Sequence, residues 1–429
     1  MSSCFTEPGG RAVAGPARRQ PTLQVYDSLQ RRRVLLPLSE GQSGRSELKL
    51  YVCGVTPYDS GHLGHAFTFC AFDLLVRWAE ASGVAVRYVQ NVTDVDDPLF
   101  ERARRDGLTW DQLAQRETDE YVRQMEALGW RPPDVMPKVS GEMSGIVAAV
   151  SSLLEKGHAY VSDACYFEAA RYPGYGGLSH RSRLSMIRKL REEGLLGEVG
   201  SGHKRSPLDF PLWRPSEPGE PAWESVAGPG RPGWHIECSA MAMRYLGPQV
   251  DVHGGGRDLI FSHHESERAQ SESLTGTVPF ARAWLHTGMV RFDGRKMSKS
   301  LGNLVTVEET LERAPAAAVR LYLASHRYRR DWSFRWEGLA AATRLAHRLA
   351  KLIGSESGGG GGGGAGLQGK EWALASGSEV GLVNDFSAAM DNDLDTPAAM
   401  RVLRRALRRQ DAPAAAWMAG ILCGTAGLS

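Results

Sequence analysis

Two short motifs carry side chains suited to phosphate chemistry. His62-Leu63-Gly64-His65 follows a β-rich run, and Lys296-Met297-Ser298-Lys299-Ser300, continued by Leu301-Gly302-Asn303, lies far downstream. Imidazole N–H groups at a helix N-terminus add to unpaired backbone donors that attract phosphate. Two ammonium groups three residues apart can stabilise a pyrophosphate leaving group in the transition state. Either motif alone could consist of ordinary solvent-exposed side chains. Together they indicate ATP chemistry, because a phosphate chain must be held from two sides.

A second set of residues could bind a metal ion. His263 and Glu267 are four residues apart, so on a helix both side chains project from one face. Cys53 and Cys238 would add two thiolates and complete a set that suits zinc. These positions are scattered through the chain. On the residues alone, two buried cysteines and a surface His/Glu pair are therefore the preferred interpretation.

A strand, a helix and a second strand are predicted to position the histidine motif. Residues 48–53 form an apolar strand, and the loop from Pro57 to Gly64 leads into a helix that Gly83 ends. A second strand follows over 84–92. This unit predicts an α/β fold with a Rossmann-like parallel sheet, and it places His62 and His65 where the helix starts. The helix is recognised by apolar residues at three- and four-residue spacing, namely Phe69, Phe72, Val76 and Ala79.

The composition is that of a globular protein. Its 429 residues, 42% hydrophobic and 23% charged, suffice for two or three domains. The 51 basic residues nearly balance the 49 acidic ones, so a nucleic acid would have to be met by a local patch. Six cysteines without an even framework of spacings argue against a disulfide-rich secreted protein and fit a reducing cytoplasm. No run approaches the roughly 20 apolar residues that span a bilayer, so no membrane partner is expected.

Composition also predicts the domain boundaries. Residues 1–21, rich in Gly, Pro, Ala and Arg, are predicted to be a flexible extension, with a transit peptide as the alternative. Seven consecutive glycines, Gly358–Gly364, indicate a linker. The linker, taken as 354–369, separates the start of a helical region at 336–353 from a second helical region at 370–429.

The second helical region contains one amphipathic helix. Thr396 is expected to be its N-cap, with Pro397 in the first turn. Five arginines flank its apolar stripe, and they could contact nucleic-acid phosphate, although a solvated face is the more usual meaning of such charges. The stripe is formed by Val402, Leu403, Ala406 and Leu407, and the arginines are Arg401, Arg404, Arg405, Arg408 and Arg409.

Five further segments match one known family in register. They are Tyr51–Asp59, Asn91–Asp97, Gly230–Ala240, Asp251–Gly256 and His263–Glu265. With the two phosphate motifs, these segments resemble the cysteinyl-tRNA synthetases, which are class I aminoacyl-tRNA synthetases. The resemblance extends from about Leu23 to about Asp331, and more thinly through Asp391–Pro397. It implies a Rossmann-like catalytic domain at 22–335 with an insertion at about 110–230.

The resemblance implies a zinc site and reverses the preference stated above. The family places its zinc ligands at the positions of Cys53, Cys238, His263 and Glu267, with one Zn²⁺ per chain. An open coordination position can take the thiolate of cysteine, whereas the hydroxyl of serine is a harder and less acidic ligand. Cys53, Thr93 and Trp234 are the residues that the resemblance assigns to cysteine binding.

The resemblance also implies the nucleotide site and the partners. The residues expected to be catalytic are His62, His65, Lys296 and Lys299. The expected partners are ATP with Mg²⁺, L-cysteine and tRNA-Cys, and the chain is expected to be a cytoplasmic monomer that lacks the family's anticodon domain. Residues expected to bind ATP are His62, Gly64, His65, Gly254, Gly255, Asp258, Lys296, Met297, Ser298, Lys299 and Ser300.

Two alternatives stay open. The cysteine ligases of mycothiol synthesis resemble the same core, also lack an anticodon domain, and transfer activated cysteine to the amine of glucosaminyl-inositol. Residues 56–58 and 96–102 resemble them. His253, Glu267 and the run 300–303 resemble the synthetase instead; in particular, those ligases replace the fourth zinc ligand, which is Glu267 here. A non-enzymatic, zinc-stabilised RNA-binding module would predict damage to the two phosphate motifs, and none is visible.

Overall fold

The computed structural model describes residues 22–41, 44–58, 61–196, 204–297, 302–356, 370–424 and 426. The predicted extension at 1–21 and the glycine run at 358–364 lie outside the described residues. So do Ser298, Lys299 and Ser300, and the side chain of Lys296.

Strands and helices alternate as far as residue 334, and only helices follow in the described chain. No described helix is long and apolar enough to cross a membrane. The strands are β1 (Gln24–Asp27), β2 (Arg32–Leu35), β3 (Ser39–Glu40), β4 (Ser46–Val55), β5 (Ala85–Val92), β6 (Ala159–Val161), β7 (Cys165–Phe167), β8 (Phe210–Arg214), β9 (Arg231–Pro232), β10 (Val250–Gly256), β11 (Ala281–Thr287), β12 (Val290–Phe292), β13 (Arg295–Lys296) and β14 (Trp332–Phe334). The helices are α1 (Leu63–Ala81), α2 (Asp97–Asp106), α3 (Trp110–Ala127), α4 (Met143–Glu155), α5 (Arg183–Glu192), α6 (Trp234–Leu246), α7 (Glu265–Thr275), α8 (Val307–Arg313), α9 (Ala316–Ala324), α10 (Trp336–Glu356), α11 (Lys370–Ala375), α12 (Val380–Asp391), α13 (Thr396–Arg409) and α14 (Ala412–Cys423).

A parallel sheet forms the centre of the fold. Its strands run in the order β11, β10, β4 and β5, and short β3 pairs antiparallel with β4. Side chains of β4 alternate between two cores: Leu50 and Val52 face α1, whereas Tyr51 and Cys53 face the opposite layer with α6. The predicted α/β fold with a parallel sheet is confirmed. Its carboxyl edge is where α/β proteins bind ligands.

Helix α1 begins and ends where the sequence predicts. His62 is its N-cap, and the helix ends at Ser82, whose N–H bonds back to the last turn. Gly83 follows with φ of 81°, a conformation that favours glycine. The helix packs between the sheet and the C-terminal helices, which explains why apolar residues occupy most of its surface.

A buried ion cluster connects α1 to the C-terminal helices. Asp73 in α1 pairs with Arg77 at 3.0 Å and with Arg320 of α9, and its Oδ1 accepts the N–H of Arg131 at 2.7 Å. Arg320 also donates to the carbonyl of Leu422 in α14 at 3.3 Å. Asp73 and Arg320 are each at most 1% exposed. The polar cluster therefore fixes three helices against one another inside the core.

The predicted insertion contains its own small sheet. Strands β6 to β9 pair antiparallel in chain order, between β5 and α6 of the core. Asp97, at the start of α2, pairs with Arg214 of β8 and Arg231 of β9. These ion pairs attach the insertion to the carboxyl edge of the central sheet.

Two details of the C-terminal helices differ from the prediction. Helix α10 continues to Glu356, three residues into the predicted linker, because buried Leu352 extends its apolar stripe. The N-cap of α13 is Asp395, whose carboxylate accepts the N–H of Ala398 at 3.2 Å, and not Thr396. The Thr396 hydroxyl instead donates to the carbonyl of His326 at 3.1 Å. The predicted apolar stripe of α13 is buried.

Removing the carboxylate of Asp73 should destabilise the whole fold. In Asp73→Ala, two buried guanidinium groups lose their counter-charge, and the free energy of unfolding should fall by about 3 to 5 kcal/mol. The control is Asp385→Ala, which breaks the exposed pair with Arg405 and should cost less than about 1 kcal/mol. Denaturant unfolding measures both. Equal losses in the two variants would contradict a structural role for the buried cluster.

Candidate metal and nucleotide site

Four side chains of ligand type converge below the carboxyl edge of the sheet. One ligand atom from each of Cys53, Cys238, His263 and Glu267 lies within 4.8 Å of the other three. His263 Nε2 is 3.4 Å from Glu267 Oε2, and Cys53 Sγ is 3.6 Å from the same oxygen. All four residues are buried. This tetrad could hold a metal ion.

Three structural elements and one turn bring the tetrad together. Cys53 lies near the end of β4, Cys238 in the second turn of α6, and Glu267 in the first turn of α7. His263 was expected to share a regular helix with Glu267. It lies instead in the irregular turn 260–264 before α7, where Phe261 is extended. The two side chains still meet, because the turn leads directly into the helix.

Burial sets the ionisation of the tetrad. It raises the pKa of the Cys53 thiol well above its usual range, and the neighbouring Cys238 raises it further. Burial also lowers the pKa of His263 to about 3, so this imidazole is neutral and keeps a lone pair. A divalent cation would supply the positive charge that thiolates need in such a place. The donor set therefore fits a metal ion in chemistry as well as in geometry.

Four histidines that received no site role from the sequence surround the tetrad. His253 Nε2 lies 3.3 Å from Glu267 Oε1 and 3.5 Å from Cys53 Sγ. His235 Nδ1 is 2.9 Å from Nδ1 of His263, and His264 Nδ1 is 2.8 Å from Nε2 of His286. With Cys53 and Glu267, His253 and His264 form a second possible ligand set. Three of the four adjoin residues singled out from the sequence, but only the fold shows that they meet.

Trp234 separates the tetrad from an open cavity. Its indole stacks on His263 with ring centroids 4.3 Å apart, and the residue is 40% exposed. The indole of Trp234 therefore has one face against the tetrad and one edge toward solvent. Thr93, which the resemblance also assigns to cysteine binding, is buried just after β5. Its hydroxyl accepts a hydrogen bond from the Asn91 side chain at 3.1 Å.

The histidine motif forms the start of α1. His62 Nδ1 accepts the N–H of His65 at 3.3 Å, and the two imidazoles stack with centroids 3.8 Å apart. A Cβ at Gly64 would lie 2.9 Å from Cε1 of His62. The glycine is thus required for the imidazole to fold over the helix start.

The segments on either side of the lysine motif reach the histidine motif. Strands β12 and β13 form a hairpin that ends at Lys296. After the motif, Val305 accepts the N–H of Leu63 at 2.9 Å, and Val307 donates to the carbonyl of Gly61 at 2.7 Å. Met297 is buried, and its Cε lies 3.9 Å from where a Cβ of Gly64 would be. The two motifs therefore adjoin, as a two-sided phosphate site requires.

The three consecutive glycines Gly254, Gly255 and Gly256 belong to strand β10. Gly254 and Gly255 continue β10 and pair with β11. A Cβ at Gly254 would lie 2.2 Å from Phe72 of α1, so this glycine permits helix packing. Gly255 and Gly256 reach the carboxyl edge, and exposed Asp258 lies in the following turn, with Oδ1 2.4 Å from a Cβ placed at Gly256.

A cavity of about 630 Å³ opens beside Trp234, between the sheet and the insertion. Asp96 and Glu237 line it. Burial raises the pKa of Asp96 to about 6, and adjacent Asp97 contributes. Burial raises the pKa of Glu237 well above its usual range, and the nearby Asp96 and Cys238 raise it further. Lys204, Arg214 and Arg231 line the same cavity, and the two arginines pair with Asp97.

The sequence profile described as tRNA synthetases class I (C) catalytic domain matches residues 40–344. The chain belongs to this family. The resemblance seen in the motifs is confirmed, and the class I synthetase fold accounts for the parallel sheet with ligand-type residues at its carboxyl edge.

Relatives of known name fall into two groups. A cysteine–tRNA ligase of Dehalococcoides mccartyi is 40% identical over 384 residues, covering 89% of this chain and 79% of that protein. An L-cysteine:1D-myo-inositol 2-amino-2-deoxy-alpha-D-glucopyranoside ligase of Frankia alni is 52% identical over 288 residues, covering 66% and 69%. Among solved structures, Mycobacterium tuberculosis methionyl-tRNA synthetase in complex with methionyl-adenylate aligns with TM-score 0.61 at 16% identity, covering 87% and 88%. That likeness shows the shared fold.

Removing one thiol of the tetrad should release the metal. We expect Cys238→Ala to lose most of the metal found in the unaltered protein, because the remaining three donors bind a divalent cation less tightly. Cys165→Ala is the matched control, since Cys165 is equally buried but lies in β7 of the insertion sheet. Elemental analysis of the purified proteins measures the content. Unchanged metal in Cys238→Ala would remove that residue from the site.

Proposed function

We propose that this chain is a cysteine–tRNA ligase, which activates L-cysteine with ATP and transfers it to the 3′-terminal ribose of tRNA-Cys. One observation carries the proposal: a buried tetrad with two thiols lies at the same sheet edge as the histidine motif that starts α1. Thiol recognition and phosphate chemistry thus belong to one site. The named relatives of the same family support this assignment.

We propose zinc as the metal. Two sulfur donors with one nitrogen and one oxygen match its preferences, and such a set is less suited to magnesium or calcium. When bound there, zinc supplies an acceptor for the substrate thiolate, which distinguishes cysteine from serine. Cys53, Cys238, His263 and Glu267 would hold it. Trp234, stacked on His263, would form a wall of the amino-acid pocket, and Thr93 would lie at its edge.

Activation would use the two adjoining motifs. A carboxylate oxygen of cysteine attacks the α-phosphorus of ATP, and the bond to the departing pyrophosphate breaks. His62, His65, Lys296 and Lys299 would stabilise the charge that moves onto pyrophosphate, with Mg²⁺ accompanying ATP. Gly64, Met297, Ser298 and Ser300 belong to the same two motifs and complete the proposed phosphate site.

The remaining nucleotide contacts would lie at the end of β10. Gly255 and the turn with Asp258 reach the carboxyl edge, where an adenosine could lie against the backbone. Gly254 would take part mainly by letting α1 approach. We also propose a cytoplasmic monomer. The described cysteines are free thiols, as a reducing compartment requires.

A second candidate is transfer to the amine of glucosaminyl-inositol. The 52% identity to the Frankia alni ligase favours it. Glu267 favours the tRNA acceptor, because the mycothiol ligases that the sequence resembles replace this residue. In this chain Glu267 lies fully buried within the tetrad.

Labelled cysteine distinguishes the two acceptors. With ATP and the unaltered protein, we expect counts on acid-precipitable total tRNA and none on glucosaminyl-inositol assayed in parallel. His65→Ala provides the background, because loss of a phosphate-site imidazole should abolish most transfer. Counts on the amino sugar alone would refute the tRNA ligase and establish the second candidate.

Substrate discrimination tests the role of Glu267. Glu267→Gln should lower the ratio of cysteine to serine activation about ten-fold or more, since loss of a charged metal ligand weakens the thiol-selective site. Glu265→Gln is the control: Glu265 is also buried in α7, but it accepts the N–H of Ser179 at 2.7 Å outside the tetrad. ATP–pyrophosphate exchange with each amino acid gives the ratios. An unchanged ratio in Glu267→Gln would exclude it from the selective site.

A further inference from the structure

Glu237 is a buried acidic side chain, 1% exposed, whose Oε2 has no hydrogen-bond partner among the described residues. Comparable acids nearby are satisfied: Asp209 accepts the Tyr160 hydroxyl at 2.9 Å, and Glu265 accepts backbone N–H groups. Buried polar atoms are nearly always paired, so an orphaned carboxylate oxygen calls for a ligand.

The cavity beside Trp234 is where such a ligand would lie. Glu237, in the first turn of α6, and Asp96, before α2, line it from two different elements. A cavity of about 630 Å³ lies within the range of small-molecule sites and exceeds what a cysteine side chain fills. The cavity is therefore large enough for a sugar ring and some of the groups attached to it.

The charges of the cavity indicate what kind of group it would accept. Asp97 is neutralised by Arg214 and Arg231, and those guanidinium groups are engaged by that pairing. Asp96 and Glu237 remain on the wall as carboxyl groups that can hydrogen-bond a ligand, and Lys204 and Glu101 also line the cavity. A carboxyl group accepts from hydroxyl or amine donors, and when protonated it can also donate to a hydroxyl oxygen. The wall suits a hydroxyl-rich group.

The position of the cavity relates it to the second half of the reaction. Trp234 lines the cavity and stacks on His263 of the tetrad. An acceptor in the cavity would thus approach cysteine from the side opposite the metal. The cavity also lies between the core and the insertion, on the side where Trp234 is exposed to solvent.

We propose that this cavity is the acceptor subsite, and that Glu237 and Asp96 accept hydrogen bonds from the ribose hydroxyls of the terminal nucleoside of tRNA. The inference rests on the proposed cysteine–tRNA ligase function and adds the residues that orient its second substrate. The ester forms when a ribose hydroxyl oxygen attacks the adenylate carbonyl and AMP leaves. Glu237 and Asp96 hold the ribose in position for that attack.

Separating the two half-reactions tests the subsite. In Glu237→Gln, transfer from preformed cysteinyl-adenylate to tRNA should slow about ten-fold or more, as expected for loss of a buried hydrogen bond. ATP–pyrophosphate exchange should change less than about two-fold, because the acceptor is absent from it. Glu155→Gln is the control, since Glu155 is exposed at the end of α4 and does not line the cavity. It should leave both steps unchanged.

Glu237 adjoins Cys238, so metal content and melting temperature are measured alongside. Should Glu237→Gln lose metal or fail to fold, Asp96→Asn decides the question, because asparagine retains the N-cap of α2. A parallel fall of exchange and transfer in folded, metal-replete variants would overturn the subsite. Absence of exchange with cysteine in the unaltered protein would instead refute the proposed function.

Altered tRNA ends identify the contact itself. Transcripts ending in 2′-deoxyadenosine or 3′-deoxyadenosine are used as competitive inhibitors of transfer. For the unaltered protein, one of them should bind several-fold more weakly than the complete transcript, and in Glu237→Gln this difference should disappear. An equal loss in both proteins would overturn the contact. Inhibition of the unaltered protein but not of Glu237→Gln by glucosaminyl-inositol would assign the cavity to an amino sugar and also overturn the ribose subsite.

Discussion

Burial of Asp73 against two arginines fixes helix α1, and the rest of the site depends on that helix. A carboxylate with no solvent exposure is tolerable only because Arg77 and Arg320 surround it and a backbone N–H completes its hydrogen bonds. The start of α1 is then fixed in the sheet layer, where His62 and His65 stack over Gly64. The same cluster connects α1 to α9 and α14, so the C-terminal helices contribute to holding the phosphate motif.

The carboxyl edge of the sheet is constrained equally closely by backbone contacts. A Cβ at Gly54 would lie 1.7 Å from the carbonyl oxygen of Asn91, and the Asn91 side chain accepts the N–H of Gly54 at 2.9 Å. Strands β4 and β5 therefore end side by side, which positions Cys53 and Thr93. Cys238 and Glu267 reach the same place from the first two turns of two helices. Rigid elements thus present the tetrad, as a selective metal site needs.

The polar groups on the two sides of Trp234 differ in kind. On one side, two buried thiols, one imidazole and one carboxyl group form the tetrad, and a cation beside the thiols would favour their ionised form. On the other, Glu237 and Asp96 line a cavity in which Arg214 and Arg231 already pair with Asp97. An unsatisfied buried atom such as Oε2 of Glu237 costs stability in the free protein, and proteins retain such atoms where a ligand completes the hydrogen bonds. Metal binding and acceptor binding would thus lie on either side of one indole.

The sequence by itself determined the elements and the chemical inventory. Local periodicity predicted β4, α1 and β5, and the motifs with their family resemblance named the tetrad and the phosphate groups. The ends of elements were less certain, because capping at Asp395 in place of Thr396 and the extension of α10 depend on distant contacts with His326 and the core. Only the tertiary structure decided which residues meet. It brought segment 305–307 against Gly61 and Leu63, gathered four further histidines around the tetrad, and left Oε2 of Glu237 without a hydrogen-bond partner in the described part of the chain. These contacts join residues far apart in the chain, so no local spacing encodes them; they follow from how the sheet, the insertion and the C-terminal helices pack.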